Sequence, residues 1–284
     1  MDAVKRTCVV RQHRGSSREL VTGLPAPAIA PFVSRMVGFT EQTAGPTAHH
    51  EMPCSKVMIV IPIGPPLHVA ARNGRSLTRF SDGLVAGVDD AAGRSQHEGF
   101  QCAVRFDLTP QGARRILGVP MSELAGQIVS LPDLLPPSQR DIAVRLSELS
   151  SWSVRFELLA SVLAARLAAS DEPQHAGIGW AAQRIEASGG RVDIGQLVHK
   201  LGYSHKHTLR LFREHIGMTP KLFARLVRFE GVRRAIRTTP QASLAELADR
   251  FGYSDQAHLV REVRHFAGAS PTELRLSAFD VASR

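Results

Sequence analysis

Ten side chains in the last third of the chain have the types and spacing needed to read a nucleic acid. Lys206, Leu209, Arg210 and Arg213 recur at i, i+3, i+4 and i+7, which places them on one face of a helix. Arginine can grip guanine O6 and N7 as a pair, lysine makes one such contact, and leucine can meet a thymine methyl. Arg213 lies one turn further on and is expected on phosphate. About fifty residues later Gln256, His258, Arg261 and Arg264 form a second polar set. Gln256 can pair with adenine N6 and N7, while His258 suits either a base contact or a structural hydrogen bond. Ser204 and Ser254 precede the two runs, and the free backbone N–H groups at such helix starts can hold phosphate.

No comparable case exists for catalysis. His49-His50-Glu51 with Cys54 and the distant His97 is the cluster of ligand-type residues worth naming, and its spacing matches no metal motif. No metal, cofactor or catalytic residue is therefore expected. The three cysteines, Cys8, Cys54 and Cys102, are scattered, with no C-x-x-C. That argues against a disulfide framework and fits a reducing cytoplasm. The alternative function is a DNA-repair alkyltransferase, or another enzyme, fused to a DNA-binding domain. It needs a cysteine-rich zinc site or an activated cysteine, which three isolated cysteines do not supply. The N-terminus lacks the apolar core of a secretion signal, and no apolar run approaches the ~20 residues of a membrane span.

The charge distribution agrees with a polyanionic partner. Of 284 residues, 35 are Lys or Arg and 26 Asp or Glu, a net of +9. Residues 175–284 hold 17 basic against 10 acidic side chains, and residues 1–174 hold 18 against 16. The excess sits where the candidate readers sit.

The elements that must position these readers appear as an internal repeat over 193–220 and 243–271. Asp193 and Gln196 correspond to Ser243 and Glu246, both with capping-box spacing. Gly202-Tyr203-Ser204 matches Gly252-Tyr253-Ser254, and Gly217 and Pro220 match Gly268 and Pro271 after one extra residue. Each copy reads as a short helix, a glycine turn and a second helix capped by the serine. This is the sequence form of a helix-turn-helix, whose second helix enters the major groove. A helical repeat used for protein contacts would also match the pattern, but it usually needs a third copy. Between the copies, Thr219-Pro220 opens a linker helix over 221–238, with Leu222, Leu226, Phe229, Val232 and Ile236 as its apolar stripe.

These motifs resemble the AraC/XylS family of bacterial transcriptional regulators. The stretch from Gly202 to Glu214 resembles that family's first recognition helix, and Gly252–Leu259 with Gly268–Pro271 resembles its second unit. The likeness covers about Ile178 to Leu276. Thr208 stands where the family usually has leucine, and Val263 where it usually has phenylalanine. The resemblance implies double-stranded operator DNA as partner, a small-molecule effector, RNA polymerase if the protein activates, and a homodimer. It implies no membrane partner.

The first 170 residues read differently. Val57–Ile61 is an apolar run closed by Pro62, with further pieces at 67–69, 77–80 and 84–88. Phe100 to Leu108 alternates with period two, the mark of a half-buried strand. Thr109-Pro110 starts a helix ending near Gly118, and further helices are expected at 139–149 and 153–169. The expected fold is therefore an α+β domain, a small β-barrel or sandwich with C-terminal helices, followed by an all-α domain with two tandem helix-turn-helix units. The expected boundaries are a mobile basic arm over 1–20, a sensor or dimerisation domain over 21–170, a linker over 171–177, the DNA-binding domain over 178–277 and a tail over 278–284. The helix at 153–169 is the candidate dimer element, because its apolar stripe looks larger than its own domain needs.

Overall fold

The computed structural model describes residues 7–13, 16–70, 76–172 and 175–276. The expected tail at 278–284 lies outside them, as do parts of the arm and the linker.

Ten strands come first: β1 (Thr7–His13), β2 (Ser16–Gly23), β3 (Val33–Gln42), β4 (Thr47–Glu51), β5 (Val57–Pro62), β6 (Leu67–Ala70), β7 (Thr78–Phe80), β8 (Leu84–Ala86), β9 (Gly93–His97) and β10 (Phe100–Leu108). Then come α1 (Pro110–Leu117), α2 (Met121–Leu124), β11 (Ile128–Ser130), α3 (Leu131–Leu134), α4 (Ile142–Glu148) and α5 (Trp152–Ala168). The strands form two antiparallel sheets, one ordered β1-β2-β3-β10-β5-β8-β11 and the other β4-β9-β6-β7. The expected α+β architecture is thus present, with helices following the sheets.

Three expectations are corrected here. Residues 7–13 and 16–20 belong to strands that pair with each other, Cys8 opposite Val21 and Val10 opposite Glu19, and β2 continues onto β3. The arm's basic residues drew attention away from Thr7, Val9 and Val10, whose branched side chains favour extended backbone. β10 is not half-buried. Val104, Phe106 and Leu108 face the main core, but Ala103 joins a second apolar cluster with Leu67, Val69, Phe80 and Leu84 on the other side. Asp107 is buried on that strand and is ion-paired to Arg105 at 2.7 Å. Finally, the apolar stripe of α5 has no excess. Phe156, Leu159, Leu163 and Leu167 are all buried in the domain's own core, so this stripe offers no dimer surface.

The helical half holds α6 (Ala176–Ala187), α7 (Ile194–Leu201), α8 (His205–Ile216), α9 (Pro220–Thr238), α10 (Leu244–Phe251) and α11 (Gln256–Ala267). Helix α6 starts inside the expected linker. The cause is His175, whose Nδ1 accepts the Ile178 N–H at 3.3 Å and caps the helix early. Helix α9 departs from the single stripe expected of it. Phe223, Ala224, Leu226, Val227, Phe229, Val232, Ala235 and Ile236 are all buried, and at 100° per residue they surround the helix.

The two halves share one continuous core. Helices α1 and α2 pack against α8. The turn that ends α8 comes closest at Gly217, whose φ of 94° is left-handed. A Cβ there would lie 2.5 Å from Val88 Cγ2 and 3.1 Å from the Met121 carbonyl oxygen. Gly217→Ala should therefore lower stability by about 1–3 kcal/mol, through strain and forced separation of the two halves. Urea unfolding of the two proteins checks this, and an unchanged midpoint would mean that the close approach is not made.

Candidate nucleic-acid interface

Local chemistry sets both helix-turn-helix units. Asp193 Oδ1 accepts the Gln196 N–H at 2.9 Å and starts α7. Ser243 and Glu246 close a complete capping box at the start of α10, at 3.1 and 2.7 Å. Gly202 and Gly252 then end α7 and α10 in left-handed backbone, with φ of 71° and 70°, a conformation that side chains with a Cβ rarely take. Ser204 Oγ accepts the His207 N–H at 3.3 Å and caps α8, as expected.

The second unit is built differently at this point. Asp255, not Ser254, caps α11, with Oδ1 accepting the His258 N–H at 2.6 Å. Asp255 is the extra residue of the second copy, and a carboxylate is a stronger acceptor for an orphan N–H than a hydroxyl. That hydrogen bond, opposed by little burial and aided by Ser254, holds the Asp255 carboxyl below its usual value. Ser254 Oγ instead lies 3.1 Å from His258 Nδ1, and the His258 ring packs edge-on against Tyr253. His258 is thereby engaged in the structure of the turn. A carboxylate at this helix start also makes it a poorer phosphate cradle than the start of α8.

The expected division of faces on α8 holds. Thr208, Leu211, Phe212 and His215 are buried, and Lys206, Arg210 and Arg213 are exposed, with Leu209 half-buried between them. Arg210 is 61% exposed and makes an i,i+4 ion pair with Glu214 at 3.1 Å. Burial, with Arg114 nearby, pushes the His215 pKa down and keeps that ring neutral in the core. Thr208 fits a leucine position because its hydroxyl donates to the Ser204 carbonyl at 3.1 Å. On α11, Gln256, Arg261 and Arg264 are exposed, as is Ser254 before it, and Leu259, Val263 and Phe266 are buried. Phe266 stacks on Phe229 of α9 at 5.1 Å, filling the space next to the smaller Val263.

The helices superpose with a shift of 51 residues, since α8 runs 205–216 and α11 runs 256–267. Arg210 thus corresponds to Arg261, and Arg213 to Arg264. Two exposed residues were missed: His205 corresponds to Gln256, and His207 to His258. The 51-residue offset between Gly217 and Gly268 is the signal that finds them.

Helix α9 holds the two reading helices in place. Arg225 makes a two-pronged pair with Glu262 of α11, at 2.8 Å for each bond. Arg228 donates to the carbonyls of Gly190 and Gly252, each at 3.0 Å, and lies over the Tyr253 ring. Burial works against the charge on Glu262, but the hydrogen bonds and charge of Arg225 prevail and lower its pKa. A lowered carboxyl pKa contributes stability that is complete above the ordinary value and is lost as pH falls through the folded one. The stability gap between the native chain and Arg225→Met, read from urea unfolding, should therefore narrow as pH drops from neutrality through about 4. A gap unchanged down to about pH 3 would show that the pair does not carry it.

Known proteins match this half of the molecule most clearly. Residues 197–277 match the family described as "Helix-turn-helix domain". An uncharacterized HTH-type transcriptional regulator of Haemophilus influenzae is 31% identical over 84 residues, 30% of this chain and 28% of that protein. The match thus spans less than a third of that relative's length. Among solved structures, an apo single-substitution variant of ToxT from Vibrio cholerae aligns with a TM-score of 0.50 at 7% identity, covering 85% of this chain and 97% of that one. A 1.65 Å structure of ToxT from the same species gives 0.48 at 6% identity, over 85% and 98%. At such identity the first of these likenesses is one of fold.

Proposed function

We propose that this chain, whose residues 197–277 form a helix-turn-helix domain of the AraC/XylS type, is a sequence-specific DNA-binding transcriptional regulator that responds to a small molecule through its N-terminal domain. The observation that carries the reading is the pair of exposed faces at equivalent positions of α8 and α11, each with two arginines, set on one shared helix. Ser204, Lys206, Leu209, Arg210 and Arg213 supply the first face. Ser254, Gln256, Arg261 and Arg264 supply the second, with His258 holding the turn. The chemistry suits a duplex: arginine and glutamine for base edges, further arginine and the Ser204 helix start for phosphate.

The enzyme alternative finds no activated thiol at the two cysteines whose side chains are described. Burial, with Glu230 nearby, pushes the Cys54 thiol up to about 11, the opposite of what a nucleophile needs. Cys102 is buried beside the Thr40 hydroxyl at 3.5 Å. Among the described residues no helix is long and apolar enough to cross a membrane, which is compatible with action on DNA in the cytoplasm.

For the effector, the favoured place is a groove of about 550 Å³ lined by Arg115, Arg166, Ser170 and Glu172. Glu172 pairs with Arg114 at 2.8 Å, and Arg114 also donates to the Glu214 carbonyl of α8 at 3.2 Å. A ligand competing for these arginines would act one residue away from the first reading helix.

The two arginines of α8 provide the test. Arg210 lies in the first half of its helix, where base edges come within reach, and Arg213 lies where the helix leaves the groove floor. Arg210→Ala should cost about 1–3 kcal/mol on the true operator and relax one base preference. Arg213→Ala should weaken binding to all sequences and reduce the salt slope by about one. Salt titrations on the operator and on a scrambled duplex separate the two. Equal loss on both duplexes for Arg210→Ala would overturn this register of α8.

A further inference from the structure

A second ligand-type site lies far from the DNA-reading faces, in the β domain. Glu41 of β3, His49 of β4 and His97 of β9 bring one donor atom each to within 4.8 Å of one another. Glu41 Oε2 is 3.0 Å from His49 Nε2 and 3.6 Å from His97 Nε2. Two bonds of about 2.05 Å at a tetrahedral angle place their donor atoms about 3.3 Å apart. The two observed separations bracket that value.

The second observation is the state of the imidazoles. The His97 side chain is 2% exposed. Its Nε2 has no hydrogen-bond partner, and neither has the buried Nε2 of His49, even though the carboxylate lies 3.0 Å from the latter. The nitrogens thus approach the carboxylate without the alignment of an N–H···O bond. A buried polar atom left so is costly, and such atoms occur where another species belongs. The local order that makes the cluster is readable from the strands. On β4 the odd positions Thr47, His49 and Glu51 turn inward, and His50 turns to solvent. On β9 Ser95 and His97 turn inward, Ser95 opposite His49. Glu41 comes from the other sheet, so the three donors join the two sheets.

We propose that Glu41, His49 and His97 form a binding site for one divalent transition-metal cation of the zinc class, which clips the two sheets of the N-terminal domain together. Two imidazoles and one carboxylate are the donor set that zinc, cobalt and their neighbours favour over calcium or magnesium. The His49 side chain, 29% exposed, gives the cation its way in. Charge around the site is mixed: Arg18 faces Glu41 across β2 and β3 and opposes a cation, and Glu51, bonded to Ser95 Oγ at 2.6 Å, favours one. The Gly99 N–H points at His97 Nδ1 at 3.3 Å, which puts the proton of the neutral ring on Nε2. Metal at Nε2 requires that proton on Nδ1, so loading exchanges this long hydrogen bond for a metal bond. The site stands independently of the DNA-binding reading.

The test uses the full chain, stripped with a chelator and titrated with Co²⁺ and separately with Zn²⁺. One equivalent of Co²⁺ should give the intense visible absorption of a four-coordinate ion, and Zn²⁺ should displace it. Glu41→Gln keeps the shape of the carboxylate, and His49→Gln alters the most exposed donor. Each should weaken uptake at least about tenfold while the metal-stripped protein melts at the wild-type temperature. The Gly99 amide resonance should shift on Zn²⁺ addition in the wild type alone. Absence of stoichiometric uptake by the wild type overturns the proposal. So does uptake that survives in both variants, which would place the cation on other histidines. If either variant fails to fold, the Gly99 resonance of the wild type decides: no shift at one equivalent of Zn²⁺ refutes the site.

Discussion

The helical half depends on a single constraint, the burial of α9 around its whole circumference. Eight apolar side chains on all sides of one helix cannot be satisfied by one partner. Each of the larger ones contributes about 1.5–3 kcal/mol only when covered. Covering them requires α6 on one flank and α10 and α11 on others, and all of these pack against α9. The consequence is a domain in one piece, with two reading helices fixed to the same axis. The polar bonds of α9 add direction to what apolar burial only holds together. Arg225 grips Glu262, and Arg228 ties the turn after α6 to the turn before α11.

The N-terminal half touches this unit at corresponding places. Arg114 pairs with Glu214 on α8 at 3.6 Å, and Asp90 pairs with His265 on α11 at 3.1 Å. Glu214 and His265 are the same position in the two helices, 51 residues apart. Glu230 of α9 also accepts the backbone N–H of Ser55 at 2.6 Å and its hydroxyl at 3.1 Å. Burial raises the pKa of Glu230, with the Ser55 contacts acting the other way. A change in how the β domain sits would therefore be felt by both reading helices and by the helix between them, while leaving Lys206, Arg210 and Arg261 open to solvent.

The helical domain was legible because its signals are local. Caps at Asp193, Ser204 and Ser243, the glycine turns and the repeat itself each act within a few residues, so the sequence displays them directly. Legibility failed where one residue or one distant contact decided. The inserted Asp255 took the cap from Ser254, and nothing in the matching triplet Gly252-Tyr253-Ser254 announces it. In α9 the stripe of Leu222, Leu226, Phe229, Val232 and Ile236 was visible, but the burial of Phe223, Ala224 and Val227 depends on neighbours far along the chain. The β domain was legible as a class and not as a topology. Pairing of β3 with β10, or of β4 with β9, joins residues roughly sixty and fifty apart, and alternation within a strand does not say what lies across it. For the same reason His97 looked remote from His49, although the sheet places it beside them.

The central claim is that one buried rod sets two reading helices on successive major-groove faces of the same duplex. Hydroxyl-radical and methylation footprinting of the full chain on its operator tests this most directly. The account predicts two separate contacted blocks centred about 10–10.5 base pairs apart, the first altered only by Arg210→Ala and the second only by Arg261→Ala. A single contacted block, or one block altered by both substitutions, would contradict it.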